Sequence, residues 1–177
     1  MLLYGVAVYV GFLAVFLYAI GFVSGFVVPK AIDDGAHGPL GAALAVNGAF
    51  LALFAVQHTI MARPRFKAWW TRVIPAAAER STFVLATILI LAALFWQWRP
   101  IGGAVWTVES PALRGALHVV AAAGWLMVLV STFLIDHFDL FGLRQVVLWF
   151  RRIPYTAPRF QERSLYRHVR HPLLLGF

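Results

Sequence analysis

Four stretches of this chain are apolar over such lengths, and so empty of charge, that only a lipid bilayer can solvate them. Residues 2–28 carry no charged side chain, and residues 40–61 are interrupted by Asn47, Gln57 and His58. Residues 81–98 are broken by Gln97, and residues 116–135 hold His118 as their titratable group. A helix needs ~20 apolar residues to cross ~30 Å of hydrocarbon, and each stretch approaches or exceeds that. Lipid offers no partner to an open backbone amide, so helix is the expected form of each. Composition agrees. The 177 residues are 62% hydrophobic and 12% charged, whereas a soluble domain is about half apolar and about a quarter charged. The sequence therefore predicts an all-α membrane protein, a bundle of four transmembrane helices plus the start of a fifth, in one domain of residues 1–177. Residues 2–28 do not read as a signal peptide, because they lack a basic leading region and outrun its apolar core of about 7–15 residues.

The charges orient these spans. Arg63, Arg65, Lys67, Arg72 and Arg80 lie between the second and third, with Glu79 among them. Arg144, Arg151, Arg152, Arg159, Arg163, Arg167 and Arg170 follow the fourth. The other two connections hold Lys30, Asp33 and Asp34, and Arg99, Glu109 and Arg114. Cytoplasmic loops collect Lys and Arg. Both Arg-rich loops are thus expected in the cytoplasm, as is the N-terminus, with the spans in a bacterial inner membrane. The net charge of +8 is concentrated in these loops, which is a topology signal and not a nucleic-acid surface. Trp96, Trp98 and Trp106 are expected at the outer lipid boundary, and Trp69 and Trp70 at the inner one. Gly21 and Gly25 have small-xxx-small spacing and predict close helix packing. Cysteine is absent, so there is no disulfide or thiolate metal site, and no metal is expected. Oligomeric state leaves no mark in the sequence.

Residues 136–177 read as one cytoplasmic segment. Val146 to Phe150 predict a short interfacial helix with its apolar face on lipid. Pro154 and Pro158 bracket an extended turn. Leu165 to Val169 return to the membrane, and Pro172 suits the first turn of a new helix, where its missing N–H costs nothing. Leu173 to Phe177 are too few to span, so the chain is expected to stop inside that helix.

Four segments recur together in a known family: Gln57-His58-Thr59-Ile60-Met61-Ala62-Arg63-Pro64, Glu79-Arg80-Ser81-Thr82, Phe141-Gly142-Leu143-Arg144-Gln145-Val146, and Tyr166 to Gly176. In these the chain resembles bacterial methanethiol S-methyltransferases and the related nurim and NnrU-like membrane proteins. The last segment is shared more loosely with isoprenylcysteine carboxyl and phospholipid methyltransferases. The resemblance covers essentially the whole chain. It implies S-adenosylmethionine as cofactor, held by Tyr166, Arg170, His171, Pro172, Leu173, Leu174 and Gly176. Those residue types suit the ligand. An aromatic face attracts a sulfonium by ~0.5–2 kcal/mol. Arg170 or His171 can pair with a carboxylate, a helix start offers free N–H groups, and Gly176 admits a close neighbour.

The implied reaction is methylation of a small thiol, methanethiol to dimethyl sulfide. An alkyl thiol is mostly protonated at neutral pH, so a base is needed. His137, Asp136 and His58, at the ends of spans, are the candidates, with Asp139 beside them. The resemblance also implies a helical hairpin and acidic segment beyond Phe177, without which turnover by these 177 residues is expected to be slow. Other readings are a non-catalytic nurim-like protein, a methyltransferase of another lipophilic substrate, or b-type haem held by His58 and His137. His58 and His118 fall near opposite membrane faces and cannot share an iron. In a purely structural reading, Tyr, Arg and His mark the lipid interface and Asp136 or Asp139 balances Arg144.

Overall fold

The computed structural model describes residues 1–104, 106–158 and 164–177; Arg159 and Arg163 of the second Arg-rich loop lie outside them. Described secondary structure is helical throughout. Its elements are α1 (Leu2–Ser24), α2 (Leu40–Ala62), α3 (Pro64–Trp70), α4 (Ala76–Gln97), α5 (Pro111–Ile135), α6 (His137–Leu140), α7 (Leu143–Phe150), a 3-10 turn (Ser164–Arg167) and α8 (Pro172–Leu175). Helices α1, α2, α4 and α5 are long and apolar enough to cross a membrane, as expected.

The helix ends differ from the hydropathy boundaries for local reasons. Helix α1 stops at Ser24 because Gly25 turns left-handed, φ +75°, and its N–H donates to the Gly21 carbonyl at 2.9 Å. A Cβ on Gly21 would collide with the Val28 side chain and lie 2.9 Å from the Phe26 carbonyl. The Gly21 and Gly25 pair therefore closes a turn and is not a seam between helices. Helix α2 ends where Arg63 precedes Pro64, a position biased to extended backbone, and Pro64 opens α3. Helix α4 starts at Ala76, ahead of the apolar run at Ser81. Three alanines form helix readily, and Glu79 sits at the positive end of the helix dipole. Ser110 caps α5 by accepting from the Leu113 N–H at 3.4 Å.

Residues 1–102 and 141–155 form one compact unit; residues 103–140 and 156–177 form a second. In the first, α4 packs on both α1 and α2, and α7 lies on α1 and α4. Its core holds Val8, Phe83 and Val84 around one centre and Phe22, Leu94 and Phe95 around another.

Helix α7 corrects an expectation. Its Val146 is fully buried against Gly5, where any Cβ would strike it, so protein and not lipid covers that face. Trp149 and Phe150 remain exposed. Phe141 stacks on Phe12 at 3.6 Å between centroids. Gly142 has φ +85°, and a Cβ there would stand 2.6 Å from the Ser81 amide nitrogen. The Ser81 hydroxyl donates to the Gly142 carbonyl at 3.3 Å. The segments Glu79–Thr82 and Phe141–Val146 thus meet as a packing joint.

The other end of α4 is tied down by polar groups. Lys30 Nζ donates to the Trp96 and Trp98 carbonyls at 2.7 and 2.8 Å, a cation on the negative end of the helix. The Asn47 amide donates to the Arg99 carbonyl at 2.8 Å and accepts from its N–H at 3.0 Å. Trp98 Nε1 donates to the Ile32 carbonyl at 2.9 Å, and its ring meets Phe22 edge-on at 5.7 Å. Trp98 is therefore a loop anchor, whereas Trp69, Trp96 and Trp106 are exposed as an interfacial belt requires.

In the second unit, α5 carries α6 at its C-terminal end, and α8 lies along α5.

Candidate active site

After Arg114 and His118 in its first turns, α5 is apolar from Val119 to Val130; Ser131 and Thr132 then appear together and are buried. Polar groups in a lipid-facing helix are costly unless they bond or serve a function. The Thr132 hydroxyl donates to the Leu129 carbonyl at 2.6 Å and lies 2.7 Å from Nδ1 of His137. The His137 ring stacks on Phe133 at 4.1 Å, with 4° between planes, and meets Phe138 edge-on at 5.4 Å. His137 is only 3% exposed, and burial pushes its pKa below the ordinary 6.5. At neutral pH it is a neutral imidazole, able to accept a proton.

Asp136 ends α5 and starts α6. Its Oδ1 accepts from the Asp139 N–H at 3.1 Å, and its carbonyl accepts from the Leu140 N–H at 2.8 Å. Its carboxylate is therefore committed in part to a helix cap, and its backbone sets where His137 points.

The segment from Tyr166 follows on the same unit. The Leu165 carbonyl accepts from the N–H groups of His168 and Val169, at 3.1 and 2.9 Å, closing the turn that leads to Arg170 and His171. Tyr166 is half-buried, and burial raises its pKa, so the phenol stays neutral. Arg170 and His171 are exposed, Pro172 is buried at the start of α8, Leu173 is half-buried and Leu174 is exposed. Gly176 brings α8 onto α5 in backbone contact. A Cβ on Gly176 would stand 2.6 Å from the Gly124 carbonyl oxygen and 2.9 Å from the Val128 nitrogen; one on Gly124 would stand 2.6 Å from the Gly176 oxygen. Phe177 adds an edge contact to Trp125 at 5.6 Å. Gly124, Val128 and Ser131 recur at helical spacing on one face of α5. Among the described residues, the buried Ser131 hydroxyl has no hydrogen-bond partner.

Asp136, His137 and the whole Tyr166–Gly176 segment thus share one compact unit built on α5. His58 belongs to the other unit. It lies exposed near the end of α2, with Phe54 and Phe83 rings at 5.3 and 4.9 Å and the Arg80 guanidinium 4.8 Å above Phe83. Its neighbour Gln57 joins α2 to α4, accepting from the Thr87 hydroxyl at 3.3 Å and donating to the Phe83 carbonyl at 3.4 Å. Sequence reasoning missed Thr132. The available signal was a Ser-Thr pair closing the apolar run of residues 119–130, with Thr132 five residues before a histidine.

The chain is 52% identical over 176 residues to the methanethiol S-methyltransferase of Mycobacterium tuberculosis, a match covering 99% of the chain and 72% of that protein. The chain belongs to the methanethiol S-methyltransferase family. Within that family it is also 51% identical over 175 residues to methanethiol S-methyltransferase 1 of Bradyrhizobium diazoefficiens, spanning 61% of that protein's length. Nurim of Mus musculus is more distant, at 32% identity over 143 residues, 75% of the chain and 53% of nurim. No protein-family model and no solved structure matches the chain. The methyltransferase family carries with it a methyl donor, and the spans make this member a multi-pass membrane protein.

Proposed function

We propose that this protein methylates methanethiol to dimethyl sulfide at the end of α5, with S-adenosylmethionine as the donor. The observation that carries the reading is that a buried His137 and the Tyr166–Gly176 segment belong to one compact unit, in a chain of this family. When bound, S-adenosylmethionine supplies a methyl group made electrophilic by its sulfonium.

The donor set suits that group. Tyr166 offers a neutral aromatic face for a sulfonium. Arg170 and His171, exposed outside the spans, offer charge-assisted donors for a carboxylate. Pro172 and Gly176 fix the segment against α5, while Leu173 and Leu174 supply apolar walls. His137 acts as the base that takes the thiol proton while the sulfur lone pair attacks, and Asp136 positions it by capping α6. His58 lies in the other unit and is given no role at this site. Burial of the base keeps water from competing for its lone pair. A volatile, apolar thiol partitions into lipid, which favours a catalyst embedded there. The Arg-rich loops support an inner-membrane topology with this site on the cytoplasmic side, where the donor is made.

The test is headspace chromatography over membranes carrying the whole open reading frame that encodes this chain, supplied with methanethiol and S-adenosylmethionine. Dimethyl sulfide above the vector control is expected, with His137→Gln reducing it by the ~10²–10⁴-fold that a positioned base contributes. Undiminished output from His137→Gln would remove His137 from the chemistry, and no output from the native protein would reject the substrate.

A further inference from the structure

We propose that Thr132 is a positioning residue that fixes the tautomer of His137 with its hydrogen on Nδ1 and its basic lone pair on Nε2. The inference rests on the reading of His137 as the base and names what makes that base competent. A hydroxyl has one hydrogen to give and lone pairs with which to accept. Thr132 Oγ1 stands 2.6 Å from the Leu129 carbonyl oxygen and 2.7 Å from His137 Nδ1. If the hydroxyl hydrogen pointed at Nδ1, two oxygens would face each other at 2.6 Å with no hydrogen between them, which is repulsive. The hydrogen therefore lies on the line to Leu129. The contact with His137 is then Nδ1–H donating to Oγ1.

The neighbours hold this arrangement. Phe133 stacks parallel to the ring at 4.1 Å, and Phe138 bounds it edge-on at 5.4 Å, so rotation of the imidazole about its own bond is opposed from two sides. The Asp136 N–H donates to the Thr132 carbonyl at 3.1 Å, so the same residue secures the backbone turn that carries the ring. The proton balance closes. The thiol S–H bond breaks, its hydrogen goes to Nε2, and the electron pair stays on sulfur for attack. The resulting imidazolium still donates from Nδ1 to Thr132, so the partner suits the ring before and after transfer. A ring protonated on Nε2 would present an N–H to the thiol and could not take its proton.

The test compares native protein with Thr132→Val and Thr132→Ser in membranes, using histidine-selective 15N labelling and His137→Gln to assign the His137 signals. The tautomer is read from the two ring-nitrogen shifts at alkaline pH, where the ring is neutral. The native protein and Thr132→Ser should show Nδ1–H, whereas Thr132→Val should move to Nε2–H or a mixture. Methyl transfer by Thr132→Val should lose up to the ~10²–10⁴-fold that a general base contributes, in kcat and not in the donor KM, with Thr132→Ser restoring most of it. Nε2–H in the native protein, or an unchanged tautomer in Thr132→Val, overturns the proposal. Should Thr132→Val fail to fold, the native spectrum and Thr132→Ser still decide it. The spectrum needs no turnover. A native protein that makes no dimethyl sulfide yet shows Nδ1–H would reject the thiol substrate and leave the Thr132 assignment standing.

Discussion

Replacing Gly176 by Ala puts a methyl where α8 and α5 touch backbone to backbone. Its Cβ would lie 2.6 Å from the Gly124 oxygen, 2.8 Å from Val128 Cγ2 and 2.9 Å from the Val128 nitrogen. Two of those atoms are main chain of a membrane span and cannot swing aside, so α8 must lift. Overpacking of this kind costs ~1–3 kcal/mol. Tyr166, Arg170 and His171 lie just before α8, so the proposed cofactor wall moves with it. If the cost falls on the docked arrangement, affinity for S-adenosylhomocysteine should fall ~5–150-fold, at ~1.4 kcal/mol per tenfold change. Gly124→Ala makes the reciprocal clash with the Gly176 oxygen at 2.6 Å and should weaken binding comparably. Gly115→Ala is the control on the same helix. Nothing lies within 4 Å of its Cβ, and Ala favours helix over Gly, so affinity should hold. Isothermal calorimetry in detergent reads all three. Native affinity in Gly176→Ala, or an equal loss in Gly115→Ala, would refute the view that the Gly124–Gly176 contact seats the site.

Three further outcomes follow from other parts of the molecule. Gly142→Ala combines a left-handed backbone, φ +85°, with a Cβ 2.6 Å from the Ser81 nitrogen, whereas Gly25→Ala, φ +75°, meets open space. Strain alone costs ~1–2 kcal/mol and overlap adds ~1–3, so thermal unfolding should show Gly142→Ala as the less stable, and equal values would disprove the joint. His137 is held below its ordinary pKa by burial, so between that lowered value and 6.5 the unfolded chain binds more protons; stability should decline as pH falls through that window and be flat above it, whereas methyl transfer should hold through the window and fall only once pH drops to the lowered value itself, where the folded ring gains a proton. A pH profile that rises toward acid would contradict a neutral base. Reporter fusions after Trp70 and after Phe160 should both read as cytoplasmic, and a periplasmic signal at either would invert the proposed topology.

The spans were legible because lipid imposes length and apolarity on any crossing helix, a demand that hydropathy records directly. The ends were not, because caps and alanine-rich extensions lie outside the lipid. Ala76–Arg80 extends α4 with no apolar signature, and Gly25 stops α1 inside an apolar run. The side of α7 was misread for a related reason. Amphipathic spacing marks an apolar face but does not say what covers it, and Val146 finds Gly5 where lipid was expected. His137 and Asp136 were found as polar groups at a span end. Thr132 was missed because residues five apart on a continuous helix point roughly 140° away from each other. Only the helix break at Asp136 folds His137 back onto Thr132.

The resemblance that first identified the family mixes two kinds of residue, and the structure separates them. Ser81, Gly142 and Val146 are motif residues whose contacts are backbone clearance, a hydroxyl-to-carbonyl bond and a filled glycine notch. Their removal would loosen the first unit without touching a base or a donor group. They say nothing of methyl transfer. The groups proposed to carry the chemistry lie instead in the second unit: a buried His137, the Thr132 hydroxyl 2.7 Å from its ring nitrogen, and a turn carrying Tyr166, Arg170 and His171. A relative that keeps the Ser81–Gly142 joint but lacks a histidine at position 137 or a hydroxyl at position 132 should therefore insert and fold in membranes yet form no thioether. Headspace assay of such a relative beside this protein separates the scaffold from the catalyst, and thioether formation without those two side chains would return the chemistry to residues elsewhere in the molecule.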